Sequence, residues 1–270
     1  MFPVACIPHG SPSAPFVGAL DALTTNLAGV WWISSRLLSS YSGSLIRVRR
    51  SSDYAESDIG YTATGSLDTT ALLAFCGAGD GFLVKIYSQT GGTDAVQSTA
   101  ASQLRVVSSG SVVTSGGFSA ADNSTHSAFI SLPVFSGAAG TFYWRQQNSG
   151  TNSSPVVSDL GSAGTENYWP FVDGDIYTEI GSNARKSCGL PGVDLSTSMV
   201  NTCVTAASNW ILRLNKAAYF STATNTVGWG SSPRLGKGFG GVVSYGFLHG
   251  LIWYNVAHTS TNWNQIEPLL

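Results

Sequence analysis

Charged side chains are scarce in this sequence. Asp, Glu, Lys and Arg make up 10% of the 270 residues, against about a quarter of a typical soluble chain. With four Glu and four Lys in all, the chain lacks the side chains that cover the surface of a coiled coil or a helical bundle. The formal net charge is −2 and the basic residues are scattered, so a nucleic-acid partner is not expected.

Long apolar runs are also missing. No stretch approaches the roughly 18 apolar residues of a transmembrane helix, so membrane insertion is not expected. The opening residues, MFPVACIPHG, have neither the basic nor the apolar region of a classical signal peptide.

Cysteine is too sparse to form a disulfide scaffold. Cys6, Cys76, Cys188 and Cys203 are widely separated and none belongs to a CxxC pair, so the usual spacing of zinc ligands is absent. They fit small buried apolar side chains, or Cys188 and Cys203 form a bridge that closes a Gly/Ser/Thr-rich loop. No cofactor is expected.

What the chain does contain is typical of strands and turns. It has 31 glycines, 43% hydrophobic and 11% aromatic residues, enough apolar surface for a folded core. Short apolar or alternating segments, such as 44–50, 82–87, 141–145, 210–214 and 247–254, lie between Gly/Ser/Asn turns. This pattern predicts an all-β, two-sheet antiparallel jelly-roll sandwich. One or two short helices are expected, at 27–38 from its apolar spacing and at 69–75 behind the N-cap Asp68.

The first 25 residues differ from the rest of the chain in their high proline content. Pro3, Pro8, Pro12 and Pro15 disfavour a helix or a central strand. We expect 1–25 to be an extended arm on a domain formed by 26–270. Because the arm carries apolar groups, we expect it to contact a neighbouring copy or another protein, which makes the chain a homo-oligomer, possibly a trimer.

Residues 41–87 resemble a known family. The run IRVRRSSD followed by DIG, then G–LDT–ALLAF and GF–V–IY, is similar to concanavalin A-like (laminin-G-like) domains of tailed-phage virion proteins. It is more distantly similar to the catalytic domain of fungal α-L-arabinofuranosidase B. The later segments DGDIYTEIGSNAR (173–185) and GFLHGLIWYN (246–255) fit the same resemblance. It implies a concanavalin A-like sandwich.

The carboxyl groups needed for glycoside hydrolysis are absent where the resemblance to arabinofuranosidase B implies them. Glycosidases need two carboxyl groups at the scissile bond. The resemblance implies a nucleophilic Glu in an E-N-G-L-F-like segment and an acidic Asp in a Gly-Gly-Asp-Asn-like turn. Here the corresponding turn, LGKGFGGVV (235–243), contains no acid, and no E-N-G-L-F segment occurs.

We therefore expect a non-enzymatic structural protein of a tailed phage or phage-like particle. It would be a head decoration, head fibre or tail-associated protein, located on the virion, assembled in the host cytoplasm and extracellular after lysis. Adhesion to a host surface glycan is compatible with this role. The alternatives are a carbohydrate-binding module, or an arabinofuranosidase-like glycoside hydrolase for which Asp173, Asp175 and Glu179 form the only cluster worth nominating.

Two groups of candidate site residues emerge. The aromatic residues Tyr168, Trp169 and Trp229 lie in Gly/Asn/Ser-rich contexts and are candidates for glycan or interface contacts. The densest cluster of charges is interpreted as an ion-paired structural network; its members are Arg47, Arg49, Arg50, Asp53, Glu56 and Asp58. Calcium ligation by Asp173, Asp175 and Glu179 remains open.

Overall fold

A computed structural model describes residues 15–123, 128–148, 157–165, 167–237 and 246–270. The strands within these ranges are β1 (Leu27–Trp32), β2 (Ile46–Arg50), β3 (Glu56–Ile59), β4 (Gly81–Ile86), β5 (Ala95–Val96), β6 (Arg105–Ser108), β7 (Ser111–Val112), β8 (Thr114–Ser115), β9 (Phe118–Ser119), β10 (Ala121–Asp122), β11 (Ile130–Ser131), β12 (Ala139–Asn148), β13 (Val157–Ser158), β14 (Tyr177–Thr178), β15 (Lys186–Ser187), β16 (Met199–Ala206), β17 (Asn209–Leu214), β18 (Ala217–Thr222), β19 (Arg234–Leu235) and β20 (Gly246–Tyr254). The helices are α1 (Thr69–Cys76) and α2 (Ser260–Ile266), with 3-10 turns at Ala100–Ser102 and Glu267–Leu269.

These strands form the expected all-β sandwich. Sixteen of them belong to one large antiparallel sheet whose main path runs β13-β19-β11-β5-β4-β6-β10-β20-β12-β16-β17-β18, and β14-β15 and β8-β9 form two small sheets. Strand β10 pairs with both β6 and β20, so the two layers are joined rather than separate. Neither helix in the described ranges is long and apolar enough to cross a membrane.

One main core lies between the two halves of the large sheet. Val48 of β2 and Leu83 of β4 share it with Trp144 of β12 and Leu212 of β17. A second apolar cluster covers the other face of β12 and β20, where Tyr143 packs with elements from both ends of the described chain. Strand β12 is therefore buried on both faces, which accounts for its nearly continuous apolar sequence.

The helix predicted at 27–38 is wrong, because Leu27–Trp32 forms strand β1. It pairs antiparallel with β20, with Trp31 opposite Leu251. The side chains of Val30 to Trp32 are buried on alternating faces in the two clusters. The helix at 69–75 is confirmed as α1, and the Asp68 side chain accepts a hydrogen bond from the Ala71 amide at 2.9 Å.

The predicted arm is described only from residue 15 onward; 1–14 lie outside the described residues. The Phe16 ring lies 3.9 Å from the Arg36 guanidinium, and Leu20 is buried in the second cluster. The Tyr254 hydroxyl donates a hydrogen bond to the Leu23 carbonyl at 2.9 Å. Residues 15–25 thus pack on the sandwich, and the predicted contact with a neighbouring chain stays a prediction.

The three cysteines of the described ranges, Cys76, Cys188 and Cys203, are buried free thiols. Burial raises the pKa of the Cys188 thiol to about 12 and that of the Cys203 thiol well above its usual value. The Cys188–Cys203 bridge left open by the sequence is therefore absent. Both thiols act as small apolar side chains.

Candidate functional site

A cavity with a volume of about 290 Å³ opens beside strands β13 and β19. It combines two carboxylates, a guanidinium and an indole with several glycines and serines. Its lining residues are Asp159, Gly161, Ser162, Gly164, Glu179, Trp229, Gly230, Ser231, Ser232 and Arg234. In a chain with so few charges, three charged side chains around one cavity make it the leading candidate for a functional site.

Close contacts between backbones shape the walls of this cavity. A Cβ atom on Gly161 would lie 1.9 Å from the Glu179 carbonyl oxygen, and one on Gly230 would lie 1.8 Å from the Asp159 carbonyl oxygen. Only glycine fits at such an approach. The Ser162 amide also donates to the Ser182 carbonyl at 2.9 Å. The three wall segments are thereby held against one another.

Glu179 is a carboxyl group removed from water. It is 2% exposed, and its Oε2 accepts a hydrogen bond from the Thr165 hydroxyl at 3.1 Å. Burial raises the pKa of the Glu179 carboxyl, and the negative charge of Asp159 adds to this, while hydrogen bonds from Thr165 oppose it. The Glu179 amide donates to the Asn167 side-chain oxygen at 2.8 Å, which fixes the backbone beneath the carboxyl group.

The turn that follows Glu179 is anchored to the main sheet. The Trp210 indole donates to the Ile180 carbonyl at 2.8 Å, and the Thr205 hydroxyl donates to the Gly181 carbonyl at 2.6 Å. Trp210 and Thr205 belong to the long strands β17 and β16 and are buried. Glu179 is thus held by a rigid part of the sandwich.

Asp159 is the second carboxylate of the cavity and has a different environment. Its Oδ2 lies 3.3 Å from Nε of Arg234, and its side chain is 8% exposed. Strand β13 pairs with β19 so that Ser158 lies opposite Arg234, which brings the two charged residues together. A cation at this distance favours the ionised form of a carboxylate.

Trp229 supplies an aromatic wall. Its indole Nε1 donates to the Gly137 carbonyl at 2.7 Å, and its ring packs against Phe142 with centroids 5.9 Å apart. A Cβ on Gly140 would lie 2.8 Å from the Trp229 ring, so the glycine leaves room for it. The predicted role of Trp229 as a contact residue is compatible with this half-buried position at the cavity.

The other aromatic candidates lie elsewhere. Trp169 is fully buried and packs against Trp144 with centroids 5.8 Å apart, which leaves it no surface for a ligand. Tyr168 is half-buried beside Phe171 and Tyr177, with centroids 4.5 and 6.5 Å away. It lies outside the lining of the cavity.

The candidate charge network lies around β2 and β3, and no member lines the cavity. Arg47 binds both carboxylate oxygens of Asp58, at 2.6 and 2.9 Å, and Arg50 binds both of Asp53, at 2.7 and 2.6 Å. Arg49 instead donates to the Gln103 side chain at 2.7 Å. Glu56 is exposed opposite Arg49 on β3.

The nominated acidic cluster separates in the structure. Asp173 accepts hydrogen bonds from the Asp175 amide at 2.9 Å and the Tyr177 hydroxyl at 2.8 Å in an exposed turn, whereas Glu179 faces the cavity. Within the described ranges, no three His, Cys, Asp or Glu side chains are grouped so that they could hold a metal ion.

Asp159 was missed by sequence reasoning. Its local sequence, SDLG, is an ordinary turn, and only the pairing of β13 with β19 reveals Arg234 beside it. The scarcity of acidic residues could have pointed to Asp159, because the sequence has few carboxylates outside the β2–β3 cluster. The turn 235–243, in which an acid was sought, lies mostly within 238–245, outside the described residues.

Residues 25–158 match the family model of the α-L-arabinofuranosidase B catalytic domain. The match covers just under half of the chain and ends next to Asp159. Among curated protein sequences, none matches this chain.

Solved structures share the fold over nearly the whole chain. A GH54 α-L-arabinofuranosidase soaked with a cyclic sulfate inhibitor superposes with a TM-score of 0.73 at 17% identity. An arabinofuranosidase complexed with arabinofuranosyl-α-1,2-xylobiose gives a TM-score of 0.72, also at 17% identity. In each case 94% of this chain is covered, and the chain spans 64% of the length of the relative.

These matches correct the expected function. The expectation of a non-enzymatic phage structural protein is contradicted, because the family model and the similar structures are those of arabinofuranosidases. The expected location on the virion stays a prediction. The matches favour the alternative, an arabinofuranosidase-like glycoside hydrolase. Asp159 and Glu179 both line one cavity, although the turn 235–243 contains no acid and no E-N-G-L-F segment occurs.

Proposed function

We propose that this chain is a glycoside hydrolase that cleaves terminal α-L-arabinofuranosides in the cavity lined by Asp159 and Glu179. The observation that carries the proposal is the presence of two carboxylates in different environments around one cavity of about 290 Å³. The match of residues 25–158 to the arabinofuranosidase B catalytic domain supports the choice of sugar.

The environments of the two carboxylates suggest separate tasks. Glycosidases of both stereochemical classes pair one protonated carboxyl with one carboxylate. Burial and the charge of Asp159 raise the pKa of Glu179, which suits a general acid that protonates the leaving oxygen. Asp159, whose Oδ2 lies 3.3 Å from Nε of Arg234, would be the carboxylate that attacks the anomeric carbon or activates water.

Trp229 and the serine side chains of the cavity would hold the sugar. The carbon-bound hydrogens on one face of a sugar ring pack well on an aromatic surface. The hydroxyl groups of Ser162, Ser231 and Ser232 lie around the same cavity and offer hydrogen bonds to sugar hydroxyls. An aromatic wall with a few placed polar groups is typical of a small-ligand pocket.

Hydrolysis of 4-nitrophenyl α-L-arabinofuranoside by the purified chain tests the proposal. We expect 4-nitrophenol release that is linear in protein concentration and much slower release from the matching β-D-xylopyranoside and β-D-galactopyranoside. Absence of release from the arabinofuranoside between about pH 4 and 8, with the protein folded by circular dichroism, would refute the proposal.

A second candidate is a module that binds arabinofuranosides without cleaving them. The observation in favour of a binding module is that segment 235–243 contains no acidic residue, although the resemblance implies an acidic Asp in this turn. Calorimetric titration with methyl α-L-arabinofuranoside separates the two candidates when it is combined with the assay above. Binding without turnover favours the module.

A further inference from the structure

Arg145 on β12 is a partly buried cation without an acidic side chain beside it among the described residues. Five other arginines lie at 3.3 Å or less from a carboxylate oxygen; they are Arg47, Arg50, Arg105, Arg213 and Arg234. Arg145 instead donates from Nη2 to the Leu270 carbonyl, and its buried Nε has no hydrogen-bond partner in the described structure. Because buried charges in proteins are normally paired, this guanidinium is exceptional in the molecule.

The electrostatics of Arg145 agree with these contacts. Burial lowers the pKa of the Arg145 guanidinium, whereas hydrogen bonding to Asp58 raises the pKa of Arg47. The nearby His249 ring adds no positive charge, because burial, followed by the charge of Arg145, lowers its pKa to about 3. Loss of water therefore disfavours the cation at Arg145, and no carboxylate side chain of the described residues offsets this effect.

Arg145 lines a small cavity that shares no lining residue with the one proposed for the sugar. The volume of this cavity is about 40 Å³. One water molecule requires about 10–15 Å³ of such volume. The cavity therefore has room for a single-atom ion with a water molecule, and it is too small for a sugar or a nucleotide.

Ser34 provides a second donor at this cavity. Its side chain is buried, and its Oγ accepts a hydrogen bond from the Trp32 indole at 2.9 Å. A hydroxyl group that accepts in this way can still donate its own hydrogen. The lining thus combines a guanidinium and a hydroxyl donor and contains no carboxylate side chain, which is the chemistry that binds an anion.

The β8–β9 hairpin packs over Arg145. The Phe118 ring centroid on β9 lies 4.3 Å from the guanidinium. Gly116, in the turn of the hairpin, approaches so closely that a Cβ there would lie 2.6 Å from Ser198 Cβ and 3.7 Å from Arg145 Nη1. Phe118, Leu269 and Leu270 all line the cavity, so an ion in it would contact parts of the chain that are far apart in sequence.

We propose that Arg145 and Ser34 hold a small monovalent inorganic anion of the halide class in this cavity. The anion neutralises the guanidinium and links the β8–β9 hairpin and residues 269–270 to β12. The volume of the cavity favours a single-atom anion over an organic one, and the charge of Arg145 disfavours a metal cation. This site is independent of the proposed hydrolysis.

Thermal melting at constant ionic strength tests the site, with sodium gluconate replaced stepwise by sodium chloride. Gluconate is too large for the cavity, so it keeps the ionic strength constant without occupying the site. A ligand that binds only the folded chain raises Tm as its concentration rises. We expect a rise of roughly 2–6 °C between about 1 and 150 mM chloride. Bromide should act in the same way and give an anomalous-scattering peak beside Arg145 in crystals.

Two variants separate this site from general effects of salt. Arg145→Met keeps an unbranched side chain but removes the charge, and it should lose the chloride-dependent rise in Tm. Ser34→Ala removes only the hydroxyl donor and should weaken the response; it keeps the test decisive if Arg145→Met fails to fold. Arg185→Gln is the matched control, because Arg185 is exposed and does not line the cavity. It should keep the wild-type response.

The proposal is overturned if the wild type shows no response to chloride, or if Arg145→Met responds as the wild type does. A bromide peak without any change in Tm would mark an adventitious ion only. Because the Leu270 carbonyl contacts Arg145, melting is repeated on a chain with a short neutral extension after Leu270. A chloride response confined to the extended chain would mean that a terminal carboxylate occupies the site, and this result would also refute the proposal.

Discussion

Two regions of this molecule differ in how they use their charged side chains. Around β2 and β3, arginines and carboxylates are dense in sequence and partly exposed: the Arg47 and Asp58 side chains are each 39% exposed. At the cavity, Asp159 and Glu179 are far apart in sequence and almost fully buried. The dense cluster is visible in the sequence, whereas the cavity pair appears only after folding.

Under the proposed function, the density of charges in the sequence is a poor guide to the site of the chemistry. Exposed ion pairs are solvated and contribute little to stability, and their carboxylates are held firmly ionised: the hydrogen bond from Arg50 lowers the pKa of Asp53 to about 2. A buried carboxyl such as Glu179 has its pKa raised by the loss of water. A carboxyl group with a raised pKa keeps its proton to higher pH, which suits a general acid.

The largest expected effect comes from neutralising a cavity carboxylate. We expect Asp159→Asn to lower kcat on 4-nitrophenyl α-L-arabinofuranoside by about 10²–10⁴-fold, the usual scale for loss of a positioned carboxylate. Asp53→Asn in the exposed cluster should leave kcat unchanged. Equal effects of the two substitutions would abolish the distinction between the regions.

Truncation of the aromatic wall should affect binding more than chemistry. Trp229→Ala removes the ring over the cavity, and we expect KM for the aryl arabinofuranoside to rise roughly tenfold, the effect of losing one anchoring contact. The change in kcat should be smaller. Thermal melting must accompany the kinetics, because the ring also packs on Phe142; an unchanged KM in a folded variant would show that the wall does not touch substrate.

The contribution of Glu179 to folding stability should depend on pH with the opposite sign to that of the exposed Asp53. Because burial raises the folded-state pKa of Glu179 above its usual value of 4.5, the folded chain binds more protons than the unfolded one between these two pKa values. Stability is then lost as pH rises through this window. Glu179→Gln should raise Tm by a few degrees at pH 7 and by much less at pH 4, where the carboxyl is protonated. A variant less stable than the wild type at pH 7 contradicts this.

The smallest effect is expected at the exposed pairs, with the opposite sign. The pKa of Asp53 is lowered from 3.8 to about 2, so its stabilisation is present above about pH 3.8 and is lost as pH falls toward 2. Melting curves of Asp53→Asn should match the wild type at pH 2 and lie slightly below it at pH 7. A large drop at pH 7 would show that this pair is central to the fold.

Much of the fold could be predicted from local pattern. Strands β2, β4 and β20 can be recognised in the sequence by an alternation, an apolar run and an aromatic segment, respectively. A strand buried on one face alternates apolar and polar residues, and a strand buried on both faces is apolar throughout. Strand β1 could not be recognised as a strand from the sequence. Val30 to Trp32 are buried on both faces, so they show no alternation, and the apolar residues of the segment also fit helical spacing. Only its pairing with β20, near the other end of the chain, decides between the two.

The site was predictable only in part. Glu179 was nominated together with Asp173 and Asp175, but the two aspartates lie in an exposed turn and the actual neighbour of Glu179 is Asp159. That neighbour depends on which strand lies beside β13, a long-range contact without a local signature. Trp229 was selected because large aromatic side chains in Gly/Ser-rich loops often form contact surfaces.

We propose that the cavity, and its buried carboxyl group Glu179 in particular, carries the chemistry. The most direct measurement is the pH profile of kcat/KM on 4-nitrophenyl α-L-arabinofuranoside for the wild type and Glu179→Gln. Our account predicts that wild-type activity falls on the alkaline side as the carboxyl with the raised pKa ionises. Glu179→Gln should lose about 10²–10⁴-fold activity and this alkaline limb. A folded Glu179→Gln variant that keeps wild-type activity and the same alkaline limb would contradict the account.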